Sequence, residues 1–234
     1  FDPSSPIRVR VLQHGNPATI DGAWYEKRIK SAMRLRNGLA ALDTDGYRLI
    51  HGENDGMPGL VVDRYAKVLV AKLYTAAWLP HLTYALPAMV EAIGAEAVVL
   101  RLARTVQQDE ARAGLADGTV LAGPSGTHVI QFSENGIRFE ADLLQGQKTG
   151  FFLDQRENRA RVEHLAAGRS SVLNVFAYSG GFSVYAARGG AGQVTSVDLS
   201  APALESAARH FALNARFPGV ATAHHVTIAG DAFR

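Results

Sequence analysis

The sequence has 234 residues, 47% of them hydrophobic, and its 24 Lys and Arg residues nearly balance its 22 Asp and Glu residues. This length and composition predict a globular chain of one large or two small domains, and a formal net charge of +2 neither requires nor excludes a nucleic-acid partner. The absence of cysteine excludes disulfides, thiolate metal ligands and a cysteine nucleophile within these residues, and the absence of a bilayer-length apolar run or an export signal predicts a cytoplasmic protein.

The first half of the chain is predicted to form a small α+β domain. Residues 1–12 open with a proline-containing turn and then alternate apolar and basic side chains from Ile7 to Val11, which predicts a half-buried strand. Residues 23–42 are predicted to form a helix with one basic face, which we interpret as a solvated face in preference to an RNA contact, formed by Lys27, Arg28, Lys30, Arg34 and Arg36. A further helix and four strands complete the domain, with the helix at 78–93 and the strands at 47–51, 60–65, 68–73 and 97–102.

Two stretches of this half carry weaker signals. A metal-binding or acidic cluster could be formed by His51, Glu53, Asp55 and Asp63. Their spacing matches no known pattern of metal ligands, so we interpret the carboxylates as caps of turns. Residues 105–127 are polar and rich in glycine, and they are interpreted as connecting strand and loop.

A hairpin is predicted to lead into the second half. Strands at 128–132 and 137–141 flank Asn135-Gly136, a pair that tolerates the positive φ angles of a type I′ turn. The following loop carries Lys148 and Thr149, and Asp154 stands where it can cap a helix ending at Gly168. Phe151 and Phe152 can either fill the core or fold over the strand ends that follow.

Residues 171–198 are predicted to form a βαβ unit that binds a nucleoside. The strand-to-helix turn contains Gly180 and Gly181, which let a ligand approach the backbone, and Asp198 ends the second strand where such folds bind ribose hydroxyls. The turn lacks the third glycine of a dinucleotide fingerprint, so a nicotinamide cofactor is disfavoured, whereas S-adenosylmethionine needs no pyrophosphate cradle. A plain crossover that binds nothing is the alternative.

The last stretch is predicted to extend this sheet. Ser200 is a good N-cap and Pro202 suits the first turn of a helix that runs to about Asn214. A third strand is predicted at 223–228, and Asp231, just after it, can reach an adenine amino group.

Three segments together resemble one family. They are YRLIHGENDGMPGLVVDRY at 47–65, ENGIRFEADLLQGQKTGFFLDQRENR at 134–159 and VLNVFAYSGGFSV at 172–184. The chain resembles the bacterial large-subunit ribosomal RNA cytosine-5 methyltransferases, which are class I enzymes dependent on S-adenosylmethionine. The resemblance implies an α/β fold in which an incomplete Rossmann-like methyltransferase domain, residues 131–234, follows an α+β middle domain, residues 13–130, and the end of a PUA-like RNA-binding domain, residues 1–12.

The resemblance also implies a set of cofactor-binding residues. The turn after the first strand of the βαβ unit would contact the methionine part, and Asp198 the ribose. The residues implied in the loop before the unit, in the turn and after the two later strands are Lys148, Thr149, Phe152, Asp154, Arg156, Asn174, Phe176, Ala177, Tyr178, Ser179, Gly180, Asp198, Leu199, Ser200, Asp231 and Ala232.

Two features of the family are missing from these 234 residues. Family members begin with a whole PUA domain, and they continue to an Asp-Pro-Pro segment and a cysteine. That cysteine adds to C6 of cytosine so that the poorly nucleophilic C5 can be methylated. Because the chain has no cysteine, no residue in it is assigned a catalytic role, no metal site is assigned, and we expect the chain by itself to be inactive.

The sequence therefore predicts an S-adenosylmethionine-dependent RNA methyltransferase that acts on cytosine C5 of 23S ribosomal RNA. The alternatives are a methyltransferase for another RNA base and a noncatalytic RNA-binding remnant that docks through the basic helix face. Ribosomal RNA is the expected partner, no membrane partner is expected, and a homodimer is one of the oligomeric states left open.

Overall fold

The computed structural model describes residues 1–3, 5–126 and 128–233, with the side chains of residues 109–113 left out. No helix in these ranges is long and apolar enough to cross a membrane. The α-helices are α1 (Gly22–Arg36), α2 (Leu82–Ile93), α3 (Arg104–Ala113), α4 (Arg156–Ala166), α5 (Gly181–Arg188), α6 (Ala201–Leu213) and α7 (Pro218–Thr222). The strands are β1 (Gly46–His51), β2 (Leu60–Tyr65), β3 (Val68–Leu73), β4 (Ala97–Leu102), β5 (Val120–Ala122), β6 (Val129–Glu134), β7 (Ile137–Asp142), β8 (Ser171–Val175), β9 (Gln193–Asp198) and β10 (His224–Ala229).

The chain divides into two compact units. Unit 1 comprises Phe1–Asn135 and Ala141–Phe151, and unit 2 comprises Gly136–Glu140 and Phe152–Arg234. The chain therefore passes from one unit to the other at three places.

Unit 1 is built on a five-stranded sheet of order β1-β2-β3-β4-β5, in which only β3 and β4 are parallel. Alternate residues of these strands point to one face, so Leu69 and Ala71 of β3 join the same core as Tyr25 and Ile29 of α1. This alternation explains why the strand positions could be predicted from the apolar pattern alone, and β1 to β4 confirm them.

Part of the other face of this sheet is covered by residues of the same unit from later in the sequence. The Phe132 ring lies 5.1 Å from the ring of Tyr65 and 5.1 Å from that of Phe151. Arg101 Nη1 donates to the carbonyl of Leu143 at 2.6 Å. The segment before Phe152 is thus packed against strands β2 to β4.

Unit 2 contains a parallel three-stranded sheet of order β10-β9-β8. Val194 and Ser196 of β9 are fully buried, and α5 and α6 pack on this sheet. In the core, the ring of Phe139 stacks on Tyr185 at 6.3 Å and meets His210 edge-on at 5.1 Å. The βαβ unit and the third strand predicted from the sequence are confirmed.

Asn214, just after α6, fixes this helix end to the backbone of residue 138. Its Oδ1 accepts from the Arg138 N–H at 2.8 Å, and its Nδ2 donates to the Arg138 and His210 carbonyls, both at 2.7 Å. The Asn214 side chain is fully buried. It satisfies the backbone N–H and carbonyl of Arg138, which would otherwise lack these hydrogen-bond partners.

Three predictions were wrong. Residues 7–12 form no strand and Ile7, Val9 and Val11 are exposed, because no strand of the described chain pairs with them. The stretch 105–127 contains β5, in agreement with the predicted connecting strand, but it also contains α3, which was predicted as loop; of the described side chains of α3, Val106 is the apolar one, which leaves too weak a helical pattern to predict. Asp154 does not cap α4, since a short 3-10 helix at Leu153–Gln155 comes first and the cap position is Gln155.

Other boundaries differ less. The helix predicted at 23–42 is α1 followed by a 3-10 helix at Asn37–Leu42, and α7 was not predicted. The turn at Asn135-Gly136 has φ angles of 49° and 76°, which confirms the predicted left-handed turn.

We expect Asn214→Ala to lower the free energy of unfolding by about 1 to 3 kcal/mol, because it leaves a buried N–H and two carbonyls without partners. Urea denaturation of the intact protein measures this change. Asn16→Ala is the matched control, since Asn16 is exposed. Equal stability of the two variants would contradict the role given to Asn214.

Candidate cofactor site

The turn after β8 has an unusual backbone. Phe176, Tyr178 and Gly180 all have positive φ, at 60°, 47° and 71°. The Ala177 N–H donates to the Val197 carbonyl at 3.0 Å, which fixes the turn beside β9. Non-glycine residues rarely adopt this conformation, and such residues cluster at functional sites.

Asp198, the last residue of β9, holds this turn. Its Oδ2 accepts the Tyr178 N–H at 2.7 Å and its Oδ1 accepts the Ser200 N–H at 2.9 Å. Each carboxylate oxygen has a second lone pair, so the group can accept two more hydrogen bonds in a fixed orientation. Two neighbouring hydroxyl donors of a ribose match this arrangement.

Gly180 serves packing as well as the turn. A Cβ at this position would lie 2.5 Å from Cβ of Ala207 on α6, so any side chain would push the two helices apart. The structure thus gives a packing reason for a glycine that the sequence explained by ligand approach alone.

The Asn174 side chain on β8 is oriented by a series of hydrogen-bonded polar side chains beneath the turn. Its Nδ2 donates to Ser183 Oγ at 2.9 Å, Ser183 is hydrogen-bonded to Ser196 at 2.7 Å, and Ser196 to His225 Nε2 at 3.0 Å. Burial lowers the pKa of His225 to about 4, so the ring is neutral at pH 7. This series sets the orientation of the Asn174 amide.

His210 of α6 supports the turn from the other side. Its Nε2 accepts the Glu140 N–H at 2.9 Å, so the proton is on Nδ1, which donates to the Ser179 carbonyl at 2.8 Å. Burial lowers the pKa of His210 to about 4 and keeps this neutral form. Sequence reasoning missed His210, because a histidine within a helix carries no signal of the turn that it contacts.

The loop residues Lys148 and Thr149 belong to unit 1. Thr149 is fully buried, and its hydroxyl donates to Asp63 Oδ2 at 2.6 Å. The Tyr65 hydroxyl lies 3.1 Å from Thr149 Oγ1 and accepts the Phe151 N–H at 3.2 Å. Lys148 is exposed with φ of 57°.

Phe152 begins the part of the loop that lies in unit 2. Its ring meets Tyr178 of the turn edge-on at 5.4 Å, and its carbonyl accepts from Nη2 of Arg159 at 3.1 Å. Arg159 is buried on α4, and its guanidinium lies 5.8 Å from the centroid of the Phe182 ring. Sequence reasoning missed Arg159, since an arginine on a polar helix is normally exposed.

Two charged residues lie at the start of α4. Asp154 is exposed, and Arg156, whose side chain is 20% exposed, donates from Nε to Glu157 at 3.0 Å.

Apolar side chains surround the carboxyl ends of β8, β9 and β10 without being covered. Phe176, Leu199 and Phe233 are 66%, 75% and 85% exposed, and the rings of Phe176 and Phe233 lie 5.7 Å apart. Asp231 Oδ1 accepts the Phe233 N–H at 3.0 Å, and the Ser200 hydroxyl caps α6 by accepting the Ala203 N–H at 3.3 Å. Exposed aromatic and aliphatic groups beside a fixed carboxylate suit a ligand with a flat apolar part and a diol.

The acidic residues near β1 do not gather around a metal. Asp55 pairs with Arg36 and accepts the His51 N–H at 2.6 Å, while Asp63 pairs with Arg48. Over the described residues, no three His, Asp or Glu side chains are placed to hold a metal ion.

Comparison with known proteins gives one family. The family model described as S-adenosylmethionine-dependent methyltransferase matches residues 47–226. The Deinococcus radiodurans protein named ribosomal RNA large subunit methyltransferase is 54% identical over the whole chain, and the Photobacterium profundum ribosomal RNA large subunit methyltransferase I is 37% identical over the whole chain. The chain spans 57% of the length of each of these two relatives.

Solved structures agree with the sequence relatives. An S-adenosylmethionine-dependent methyltransferase from Streptococcus mutans aligns over 93% of this chain and 55% of its own, with a TM-score of 0.76 and 25% identity. A methyltransferase solved with S-adenosylhomocysteine (SAH) aligns over 93% of this chain and 54% of its own, with a TM-score of 0.77 and 26% identity.

We expect the unfolding free energy to fall as the pH drops from about 6.5 toward 4. In that window unfolded His210 and His225 each bind a proton and their folded forms do not, which costs about 1.4 kcal/mol per pH unit for each histidine once the unfolded form is protonated. Denaturation at pH 7 and pH 5 measures the slope. His210→Leu should be less stable at pH 7 and show a flatter pH dependence, whereas exposed His164→Gln should keep the wild-type slope.

Proposed function

Because the chain belongs to the family of S-adenosylmethionine-dependent methyltransferases, we propose that unit 2 binds S-adenosylmethionine at the turn after β8 and the ends of β9 and β10. The bound cofactor supplies an activated methyl group on a sulfonium. The chain's own residues hold and orient that group.

The observation that carries this proposal is the carboxylate of Asp198. It is fixed by two backbone N–H groups, and its remaining lone pairs can accept both ribose hydroxyls. The same two hydrogen bonds hold Tyr178 and Ser200, so the ribose and the turn would be positioned by one group.

The apolar side chains around the strand ends suit the adenine. Phe176 and Leu199 offer exposed apolar surface just after β8 and β9, and Asp231 with Ala232 follows β10. We place the adenine against this surface, where its burial would remove apolar area from water.

The methionine part would lie along the turn. Phe176, Ala177, Tyr178, Ser179 and Gly180 provide backbone groups there, and Asn174 provides an amide oriented by Ser183. The positive charge of a sulfonium is compatible with the rings of Tyr178 and Phe152.

The loop before α4 would complete the site. Phe152, Asp154 and Arg156 are proposed to line it, with Arg159 holding the Phe152 carbonyl. Lys148 and Thr149, which the resemblance also implied, lie in unit 1, and the proposed site is confined to residues of unit 2.

For the substrate, we propose cytosine C5 of large-subunit ribosomal RNA, an activity located in the cytoplasm. Support comes from two relatives at 54% and 37% identity whose names specify large-subunit ribosomal RNA. Methylation at C5 requires a thiolate to add to C6, C5 to take the methyl group, and loss of the C5 proton with the thiolate. Since these 234 residues include no cysteine, that thiolate would come from outside them.

A noncatalytic RNA-docking role through α1 is the alternative proposal, and part of the charge of that helix is used within the protein. Arg36 forms a two-pronged pair with Asp55, Lys30 pairs with Glu26, and Arg28 donates to the neutral groups of Leu12 and Gln13. Two of the five basic side chains of this face are therefore paired with carboxylates in the described part of the chain.

We expect Asp198→Asn to weaken binding of SAH by about tenfold or more, because one hydroxyl acceptor becomes a donor and one backbone N–H loses its partner. Calorimetric titration of the intact protein with SAH measures this. Glu205→Gln on α6 removes the same charge from an exposed position and should bind like the wild type. A wild-type protein that does not bind SAH would refute the cofactor site itself.

The substrate proposal predicts 5-methylcytidine in 23S ribosomal RNA after incubation of unmethylated RNA with the intact protein and S-adenosylmethionine. Nucleoside mass spectrometry identifies the product. A methyl group on another base would retain the methyltransferase and correct the target.

A further inference from the structure

A second surface of unit 1 has the chemistry of a nucleic-acid contact. Arg48, Lys72 and Tyr74 lie on the sheet face opposite α1 and α2, because Arg48 pairs in register with Asp63, and Lys72 with Val61 and Arg101. We name these three residues the Lys72–Tyr74 surface. None of them belongs to the proposed cofactor site.

Tyr74 is the aromatic centre of this surface. Its side chain is 46% exposed, and Nζ of Lys72 lies 5.4 Å from its ring centroid. Its hydroxyl has no hydrogen bond among those described for the chain, so the ring is held by the cation beside it and not by a buried partner. One ring face is thus presented with a positive charge next to it.

The surface carries one cation without an acidic partner and one partly exposed guanidinium. Lys72 has no acidic partner within the described part of the chain, in contrast to Lys67 in the turn between β2 and β3, which is bound to Glu96 at 2.6 Å. Arg48 uses Nε and Nη2 on Asp63, at 2.8 and 3.0 Å, and its side chain is still 36% exposed. The negative charge of Asp63 is buried beneath it, so the outward side of the pair is the guanidinium.

Arg48 rests on a buried hydrogen-bond network. Asp63 also accepts the Thr149 hydroxyl at 2.6 Å, and burial raises the pKa of the neighbouring Tyr65 hydroxyl, which stays protonated. Arg48 is therefore held in place on β1 by a buried carboxylate, while Lys72 lies on β3 and Tyr74 directly follows that strand.

From this arrangement we propose that the Lys72–Tyr74 surface binds single-stranded RNA, with a base stacked on Tyr74 and the adjoining phosphates at Lys72 and Arg48. Aromatic rings on sheet surfaces stack unpaired bases, and neighbouring lysine and arginine residues contact the backbone. The inference rests on the proposed function, in that it assigns a docking place to its RNA substrate.

The test measures binding of the intact protein to a fluorescein-labelled single-stranded RNA of about 12 nucleotides by fluorescence anisotropy. Tyr74→Leu should bind about tenfold more weakly. Tyr84→Leu is its matched control, since Tyr84 on α2 is 49% exposed and should leave binding unchanged.

A second pair of variants tests the charge. Lys72→Gln should reduce the slope of log affinity against log salt by about 0.7, the value for one phosphate contact to a single strand. Lys67→Gln should leave that slope unchanged. Titration with SAH on all four variants should give the wild-type affinity, because the surface and the cofactor site share no residue.

The outcomes separate the two proposals. Equal RNA affinity of Tyr74→Leu and Tyr84→Leu overturns the surface assignment, while SAH binding and methyl transfer by the wild type keep the proposed function. Displacement of the RNA by an equal concentration of poly-glutamate peptide would also overturn it, because such a surface would recognise acidic chains in general. Loss of SAH binding by the wild type would instead refute the cofactor site.

Discussion

Left-handed backbone at Phe176 and Tyr178 costs roughly 1 to 2 kcal/mol for each residue, and the turn keeps it because the Asp198 carboxylate accepts the Tyr178 N–H. The same carboxylate accepts the Ser200 N–H at the start of α6. The ends of β8 and β9 are therefore tied together by one anionic group. Its free lone pairs are the feature on which the proposed nucleoside site at this edge of the sheet rests.

Two buried polar side chains fix further backbone groups from within the core. One lies on α6 and the other directly follows it. His210 fixes the Ser179 carbonyl, and Asn214 fixes the backbone of Arg138. Gly180 allows α5 and α6 to come close enough for this, since a Cβ there would meet Ala207. The turn is thus shaped from beneath by helix packing and from the side by Asp198.

Much of this could be predicted from the sequence, because strands with one buried face alternate and turns use distinctive residues. The apolar pattern placed β1 to β4 and the βαβ unit, and Asn135-Gly136 marked the hairpin. The residues that could not be predicted are those whose partners are distant in the sequence. His210 contacts Ser179 across 31 positions and Thr149 contacts Asp63 across 86. Asp154 is an error of another kind: its residue type predicted a helix cap, but it lies inside a short 3-10 helix that precedes α4.

The chain crosses between the two units three times, which limits where it can be cut to produce one unit alone. Residues 136–140 belong to unit 2 although residues 141–151, which follow them, belong to unit 1. Truncation at Phe152 would remove the Arg138 backbone that satisfies Asn214 and the Glu140 N–H that sets the tautomer of His210. An isolated piece that starts at Phe152 would leave these two polar side chains unsatisfied in its interior, so a self-sufficient version of unit 2 has to begin at or before Gly136.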